Sequence, residues 1–457
     1  MAFSLFLSAV AWRGEDYPAQ ELRIEIFRQG DWFWNPNWFG GHPTLGYSTL
    51  FPALGALVGA TGLGVLATTA AVGAFEALVR HRASASYATA AFAFGMVSNL
   101  VVGRLQFAVG SAFALAAVAM LSRSRIVAAV LAILTSLTSP LAALFLAIAF
   151  AAWALARRQT SASALLITAA LLPAITTSSL FGTGGDFPFP LRSLLWSLAL
   201  CALAALVSTE RMVRIGCALT AAVCLGAFLV DSPLGANVGR LPFLLAAPLL
   251  VLGGSPRTRS AVLSVAVAVA VVASLQATQI FKVAYATATD GSTQEAYYRD
   301  VVSYLLAQPG GVRVEIPFTA QHWETAHVAE HIPIARGWER QIDRRLNPEF
   351  YDEEKPLDAR IYHAWLLRNE VTHVALPDTV FDPSSAAEAQ LIRSGLDYLE
   401  PVFRNRHWTV FVVEDWSGHG RRSAEPSTGN GRIVLATALP SAQLATRAAG
   451  RAHRATE

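Results

Sequence analysis

The sequence has few charged residues for its length. Charged side chains make up 15% of the 457 residues and hydrophobic ones 54%, whereas an average soluble domain has about 25% charged residues. So few charges argue against a single soluble globule, and so much apolar sequence argues against disorder. The net charge of +3 and the lack of a basic, aromatic-interleaved stripe argue against nucleic-acid binding.

Cysteines and the common catalytic motifs are also scarce. Cys201, Cys217 and Cys224 lie in apolar stretches without C-x-x-C spacing, which is typical of small buried residues and leaves no disulfide framework. The chain has no G-x-S-x-G elbow and no dinucleotide-binding glycines. The glycines of 181–188 are not followed by the Gly-Lys-Ser/Thr of a phosphate loop.

Apolar runs of membrane-spanning length dominate the first 284 residues. Residues 2–12 are apolar but short, and they lack the positive start and cleavage site of a signal peptide. We interpret them as a shortened first span, which brings the total to about eleven. The other ten predicted spans are 49–79, 85–102, 105–121, 126–138, 141–156, 162–180, 191–207, 212–230, 241–254 and 260–281.

Arginine pairs predict the orientation of these spans, because cytoplasmic loops are rich in Arg and Lys. The pairs lie at alternate loops if Ser139-Pro140 breaks 126–156 into a hairpin; a single kinked span is the alternative. The N-terminus is then cytoplasmic, and loops 13–48, 181–190 and 231–240 face outward. The arginine pairs are Arg80/Arg82, Arg123/Arg125, Arg157/Arg158, Arg211/Arg214 and Arg257/Arg259.

The remaining sequence changes character. Strand-length runs at 312–317, 372–376 and 408–415 alternate with helical patterns at 360–370 and 385–396. The sequence therefore predicts a mainly α, polytopic transmembrane bundle (1–284), a small extracytoplasmic α/β domain (285–415) and a disordered tail (416–457).

The outward loop 13–48 begins with an acidic pair, Glu15 and Asp16. Pro18 then opens an amphipathic stretch that ends at Gly30, with Leu22 and Ile26 on one face and polar residues such as Arg23 away from it. This pattern predicts a helix lying along the membrane surface. Asp16 has two interpretations: an N-cap of this helix, or a general base at the membrane surface. The aromatic residues of 32–39 have two as well, an interfacial belt or a platform for a sugar or lipid.

Several segments together resemble the GT-C class of membrane glycosyltransferases, and in particular a group of actinobacterial membrane proteins. They are EDYPAQELR and WFGGHPTLGYSTLFP in the first loop, GRLQFAVG at 103–110 and NVGRLPFLLAAP at 237–248. The resemblance implies a polyprenyl-phosphate sugar donor and an acidic residue of the first loop as catalytic base or metal ligand. Carried over, Asp16 is the base and Glu15 its neighbour. Since the loop has no D-x-D, a divalent metal is possible but no metal ligand is assigned.

Two arginines are expected at the outward ends of spans, Arg104 in a tight turn and Arg240 at a helix start. In one interpretation, each side chain simply extends to the lipid headgroups. Alternatively they bind the donor phosphate, since a guanidinium matches a phosphate bidentately.

The stretch 319–345 mixes aromatic and planar hydrogen-bonding side chains, which suits sugar binding. Its residues 327–331 also fit H-x-x-E-H, a zinc-protease pattern, although Pro333 ends any helix early. Surface histidines are the simpler interpretation. The residues predicted to bind an acceptor are His42, Tyr47, His322, Trp323, Arg336, Trp338, Arg340 and Gln341.

The sequence thus predicts an enzyme of the plasma membrane that transfers a sugar from a polyprenyl phosphate to a glycan, lipid or protein of the cell envelope. A transporter or flippase is the first alternative, but transporters usually show internal repeats and none is visible. A non-catalytic envelope scaffold is the second.

Overall fold

The structure, a computed structural model, describes residues 12, 14–41, 44–46, 48–158, 161–181, 185–253 and 259–414. The predicted first span, apart from Trp12, and the predicted tail 416–457 lie outside them. The helices of the N-terminal part are α1 (Tyr17–Arg28), α2 (Phe51–Val58), α3 (Ala60–Val79), α4 (Ala85–Val102), α5 (Leu105–Met120), α6 (Arg125–Thr138), α7 (Pro140–Arg157), α8 (Ser161–Phe181), α9 (Leu191–Val207), α10 (Arg211–Leu229), α11 (Arg240–Gly253) and α12 (Arg259–Thr289).

The described residues contain the ten apolar helices that the sequence predicts. Seven are long and apolar enough to cross a membrane, and α5, α6 and α9 are shorter apolar helices. The predicted span 49–79 is divided at Gly59, whose φ of +77° interrupts the helix, and its first part, α2, packs against α1 at Gly55 and Ile24. The prediction of a mainly α, multi-pass membrane protein is confirmed.

The break at Ser139-Pro140 produces a helical hairpin. Ser139 is extended, and its side chain accepts a hydrogen bond from the Ala142 N–H to cap α7. Ala128 near the start of α6 shares a core cluster with Phe150 near the end of α7, so the two helices run antiparallel. The structure therefore has two helices at 126–156, and the single kinked span is wrong.

Loops gather on two faces of the bundle as the alternation of arginines predicts. An ion pair of 2.6 Å between Arg82 and Glu210 joins two loops on one face. On the opposite face, the 181–190 loop meets the C-terminal domain through Asp186 and Arg344, 3.2 Å apart, and the 231–240 loop does so through Pro233 and Gln341. That the second face is the outward one stays a prediction.

The first loop contains a two-stranded hairpin of β1 (Trp34–Asn35) and β2 (Thr44–Leu45). The C-terminal domain contains a four-stranded mixed sheet of β3 (Val314–Glu315), β4 (His373–Pro377), β5 (Leu399–Arg404) and β6 (Trp408–Val413), in the order β3-β4-β6-β5. Strand β4 pairs parallel with β3 and antiparallel with β6, so the predicted α/β character is present. The sequence missed β5, whose exposed and polar positions dilute the strand pattern. The helices of this domain are α13 (Glu295–Leu306), α14 (Glu324–His327), α15 (Arg340–Leu346), α16 (Ala359–Arg368) and α17 (Ala386–Arg393).

The C-terminal domain packs directly on the first loop. The Trp38 indole donates a hydrogen bond to the Thr325 carbonyl, and the Asn37 amide to that of Ala329. Helix α12 runs through the predicted boundary at 284/285 to Thr289. The described residues up to 414 accordingly belong to one compact unit.

The predicted orientation can be tested with single cysteines. The native cysteines are buried, so a membrane-impermeant maleimide should leave the parent protein nearly unlabelled in intact cells. Gln29→Cys, at an exposed site of the first loop, should be labelled in intact cells. Ser122→Cys, exposed on the opposite face, should be labelled only after permeabilisation, and the reverse pattern would contradict the orientation.

Candidate active site

The acidic pair is held against the turn between α4 and α5. The Asp16 N–H donates a hydrogen bond of 2.9 Å to the Val102 carbonyl. A Cβ at Gly14 would lie 2.6 Å from the Val102 carbonyl carbon, and one at Gly103 would lie 2.6 Å from the Tyr17 ring. Because Gly103 also has a φ of +95°, which L-residues rarely adopt, glycine at both positions allows this close packing.

This packing brings Asp16 beside Arg104, the residue after Gly103. The Asp16 Oδ2 and Arg104 Nε atoms are 3.5 Å apart, and each side chain is about one-third exposed. The carboxylate does not cap α1, since it accepts no hydrogen bond from the first turn. Of the two interpretations of Asp16, the N-cap is therefore not realised, and the carboxylate faces a guanidinium at the end of the bundle.

Glu15 occupies a more enclosed position in the same group of charges. Burial raises the pKa of its carboxyl above the usual value, and the adjacent negative charge of Asp16 raises it further. The positive charges of His322 and Arg104 oppose that rise, and Asp382 adds to it. Glu15 therefore lies where the first loop, the α4–α5 turn and the C-terminal domain meet.

The C-terminal domain contributes a buried polar cluster centred on His322. Its Nε2 lies 3.4 Å from Asp382 Oδ2, and its Nδ1 lies 3.7 Å from Glu324 Oε1. The Trp338 ring stacks on the imidazole with centroids 3.3 Å apart. Arg340 donates a hydrogen bond of 2.7 Å to Asp382. Histidine, tryptophan and arginine from the predicted acceptor-binding stretch are thus brought together.

The electrostatics of this cluster favour a charged imidazole. Burial lowers the pKa of His322, but the nearby carboxylates of Asp382 and Glu324 outweigh that effect and raise it above its usual value. Burial alone would raise the pKa of Asp382, yet His322 and Arg340 hold it well below its usual range. The imidazole lies between two carboxylates and therefore holds a proton more strongly than an ordinary histidine does.

Arg240 approaches the same end of the bundle from α11. Its Cζ lies 5.9 Å from the centre of the Phe107 ring. Phe107 is in the first turn of α5, the helix that begins at the residue after Arg104. An Nη atom donates a hydrogen bond of 2.7 Å to Asn237. Arg104 and Arg240 therefore flank the start of α5, where the helix dipole also favours an anion.

Other residues predicted to bind an acceptor lie elsewhere. Arg336 is fully buried and bonded to Asp343 and Glu388, and Trp323 is buried against His327. These two departures from the prediction have a common reason: both side chains form the core of the C-terminal domain and cannot reach a ligand in this conformation. Gln341 bridges to Pro233 instead, at 3.4 Å.

His42 and Tyr47 lie outside the described residues. The H-x-x-E-H pattern does not form a continuous helix, because α14 ends at His327. Within the described residues, no group of three or more His, Cys, Asp or Glu side chains is arranged to hold a metal ion. The acidic pair faces Arg104, so its geometry does not fit a metal site.

Sequence reasoning missed Asp382 and Glu324. Asp382 follows β4, and the carboxyl ends of strands in open α/β sheets are common ligand sites, so the strand prediction could have directed attention to it. Its local contacts indicate no more than a turn, because Asp382 accepts two hydrogen bonds from Ser384. Glu324 lies in the stretch 319–345, which was predicted to bind an acceptor because of its aromatic and basic residues. Nothing in the neighbouring sequence distinguishes Glu324 from an ordinary surface glutamate.

The charge on His322 predicts how stability depends on pH. Its folded-state pKa is raised above the reference value of 6.5, so its stabilisation is fully present below about pH 6.5 and is lost as pH rises through the folded value. The difference in thermal unfolding temperature between the wild type and His322→Gln in detergent should therefore be larger at pH 6 than at pH 9. A difference that stays constant or grows with pH would contradict the charged imidazole.

Comparison with known proteins gives a match in structure only. The chain aligns with two crystal structures of ArnT from Cupriavidus metallidurans, one bound to undecaprenyl phosphate and one in the apo state. Each alignment has 12% identity and a TM-score of 0.47, covering 92% of this chain and 99% of that chain. At these values the likeness transfers no residue role, donor or acceptor. No protein-family model and no curated protein matches the chain.

Proposed function

We propose that this protein is a membrane glycosyltransferase that moves a sugar from a polyprenyl phosphate to an acceptor hydroxyl at the end of the helix bundle. The observation that carries the proposal is the 3.5 Å contact between Asp16 and Arg104. This contact puts a proton acceptor next to a cation that can bind phosphate, at the end of the bundle where the phosphate of a membrane lipid would lie. The acceptor is a glycan, lipid or protein of the cell envelope.

The two arginines bind the donor phosphate. Among the described residues Arg104 forms an ion pair only with Asp16, through Nε, which leaves its two terminal nitrogens for phosphate oxygens. Arg240 adds a second guanidinium beside the same helix start. When the bond between the anomeric carbon and the phosphate oxygen breaks, negative charge grows on that oxygen, and both cations stabilise it.

Asp16 accepts the proton of the attacking hydroxyl. The acceptor oxygen forms a bond to the anomeric carbon as its proton passes to the Asp16 carboxylate, and the polyprenyl phosphate leaves with the electron pair of the broken bond. Glu15, with its raised pKa, takes up a proton more readily than an ordinary glutamate and supports this step. Trp338 and Arg340 are partly exposed and offer an aromatic ring and a planar polar group to the acceptor, while the buried His322 and Asp382 hold them in place.

Replacing Asp16 tests the proposal. Asp16→Asn keeps the shape of the side chain but removes the proton acceptor, so transfer should fall about 10²–10⁴-fold. The measurement is transfer from labelled polyprenyl-phosphate sugars to membrane acceptors, with expression and gel-filtration profile monitored for each variant.

Asp397→Asn is the matched control, because Asp397 is an exposed aspartate of the C-terminal domain, and it should retain wild-type transfer. Full transfer by a folded Asp16→Asn variant would end the assignment of the base. No transfer by the wild type from any of the donor sugars would count against the proposed reaction as a whole.

A further inference from the structure

Three buried side chains around α1 have polar atoms without hydrogen-bond partners. Gln20, Arg23 and Asn35 are only 8%, 4% and 1% exposed. Gln20 Oε1, Arg23 Nη1 and both amide atoms of Asn35 find no partner among the described residues. Leaving a buried polar group unpaired is costly, so four such atoms need an explanation.

The spacing on α1 and the pairing of the short hairpin in the first loop place these residues on facing sides of the two elements. Gln20 and Arg23 lie three residues apart on α1 and share a helix face. Strand β1 (Trp34–Asn35) pairs with β2 (Thr44–Leu45) so that Asn35 is opposite Thr44, and directly opposite residues point to the same side of the pair.

The contact between Gly46 and Arg23 shows that this side of the hairpin faces α1. Gly46 is two residues beyond Thr44 and therefore shares its side. The Arg23 guanidinium occupies the place where a Gly46 Cβ would stand. Arg23 and Asn35 thus lie on the same side of the hairpin, where the backbones of Asn35 and Gly46 are diagonal neighbours about 7–8 Å apart.

The same helix face carries the proposed base. Asp16 is four residues before Gln20 and seven before Arg23, a spacing that repeats on one side of an α-helix. The side chains of Gln20 and Arg23, with their unpaired atoms, therefore lie on the same side of α1 as Asp16.

The charge around Arg23 is balanced. Burial lowers the pKa of its guanidinium, and the carboxylates of Glu339 and Asp31 oppose that effect. One cation with two nearby carboxylates does not favour an anionic ligand. The unpaired atoms comprise donors on Arg23 and Asn35 and acceptors on Gln20 and Asn35, and this combination matches neutral hydroxyl groups, each of which donates and accepts.

We propose that Gln20, Arg23 and Asn35 form a subsite that binds the hydroxyl groups of a neutral sugar ring. The proposal rests on the proposed transfer and deepens it, because it places a sugar, from the donor or from the acceptor, along α1 beside Asp16. Entry requires the hairpin to separate from α1, since Gly46 contacts the Arg23 guanidinium.

Saturation-transfer NMR on the purified full-length protein in nanodiscs tests the subsite without relying on transfer. The probes are methyl glycosides of the common hexoses and pentoses, with inorganic phosphate as the anionic comparison in competition. Gln20→Met removes one acceptor and keeps the side-chain length, so affinity for the bound glycoside should fall about fivefold to tenfold. Gln29→Met is the matched control at an exposed position one residue past α1 and should bind as the wild type does.

Asn35→Leu provides a second variant should Gln20→Met fail to fold, and it should weaken binding by at least as much. Equal affinity in wild type and folded variants, no binding of any glycoside, or displacement by phosphate would each overturn the subsite. Binding without transfer would support the subsite while counting against the proposed reaction. A short-chain polyprenyl-phosphate sugar that displaces the glycoside identifies the donor as the source, whereas simultaneous binding identifies the acceptor.

Discussion

The close packing of residues 14–17 on the α4–α5 turn is the contact on which the candidate site depends. The hydrogen bond from Asp16 to Val102 fixes the backbone of the first loop, and Gly14 and Gly103 permit the approach because neither has a Cβ. This contact places the acidic pair beside Arg104. It also fixes the direction of α1, and therefore the positions of Gln20 and Arg23. The C-terminal domain then closes over α1 and the first loop through Asn37 and Trp38.

Much of the fold follows from local sequence. Hydropathy predicts the apolar helices, because a membrane span must be apolar over its whole length. The Ser139-Pro140 hairpin follows from the restrictions that proline imposes on the backbone. Apolar runs of strand length give β4 and β6, but not β5, where exposed and polar positions dilute the pattern.

The site was only partly predictable, because it depends on contacts between segments distant in sequence. Glu15, Asp16, Arg104 and Arg240 stand out as charges at the ends of apolar runs. Asp382 and Glu324 do not, since their importance comes from facing a buried His322. Arg23 was placed on the polar face of an amphipathic helix, but it is buried. That prediction was wrong because the hairpin and the C-terminal domain cover what would otherwise be the wet side of α1.

The low charge content therefore has a structural meaning at the site. Some polar groups there are paired across segments, as Asp16 is with Arg104, and others have an atom without a partner among the described residues, as Gln20 Oε1 does. Paired groups hold the first loop, the bundle and the C-terminal domain together, and unpaired ones remain for a ligand. Catalysis and recognition thus use neighbouring faces of one short helix.

The most direct test of the account is the binding of undecaprenyl phosphate to the purified protein in nanodiscs, measured by native mass spectrometry. Arg104→Gln and Arg240→Gln should each weaken binding about tenfold or more, because each removes a charge-assisted phosphate contact. Arg192→Gln, in the first turn of α9 and not part of the proposed site, should bind as the wild type does. Equal binding by all four proteins would contradict a phosphate site between the acidic pair and the start of α5.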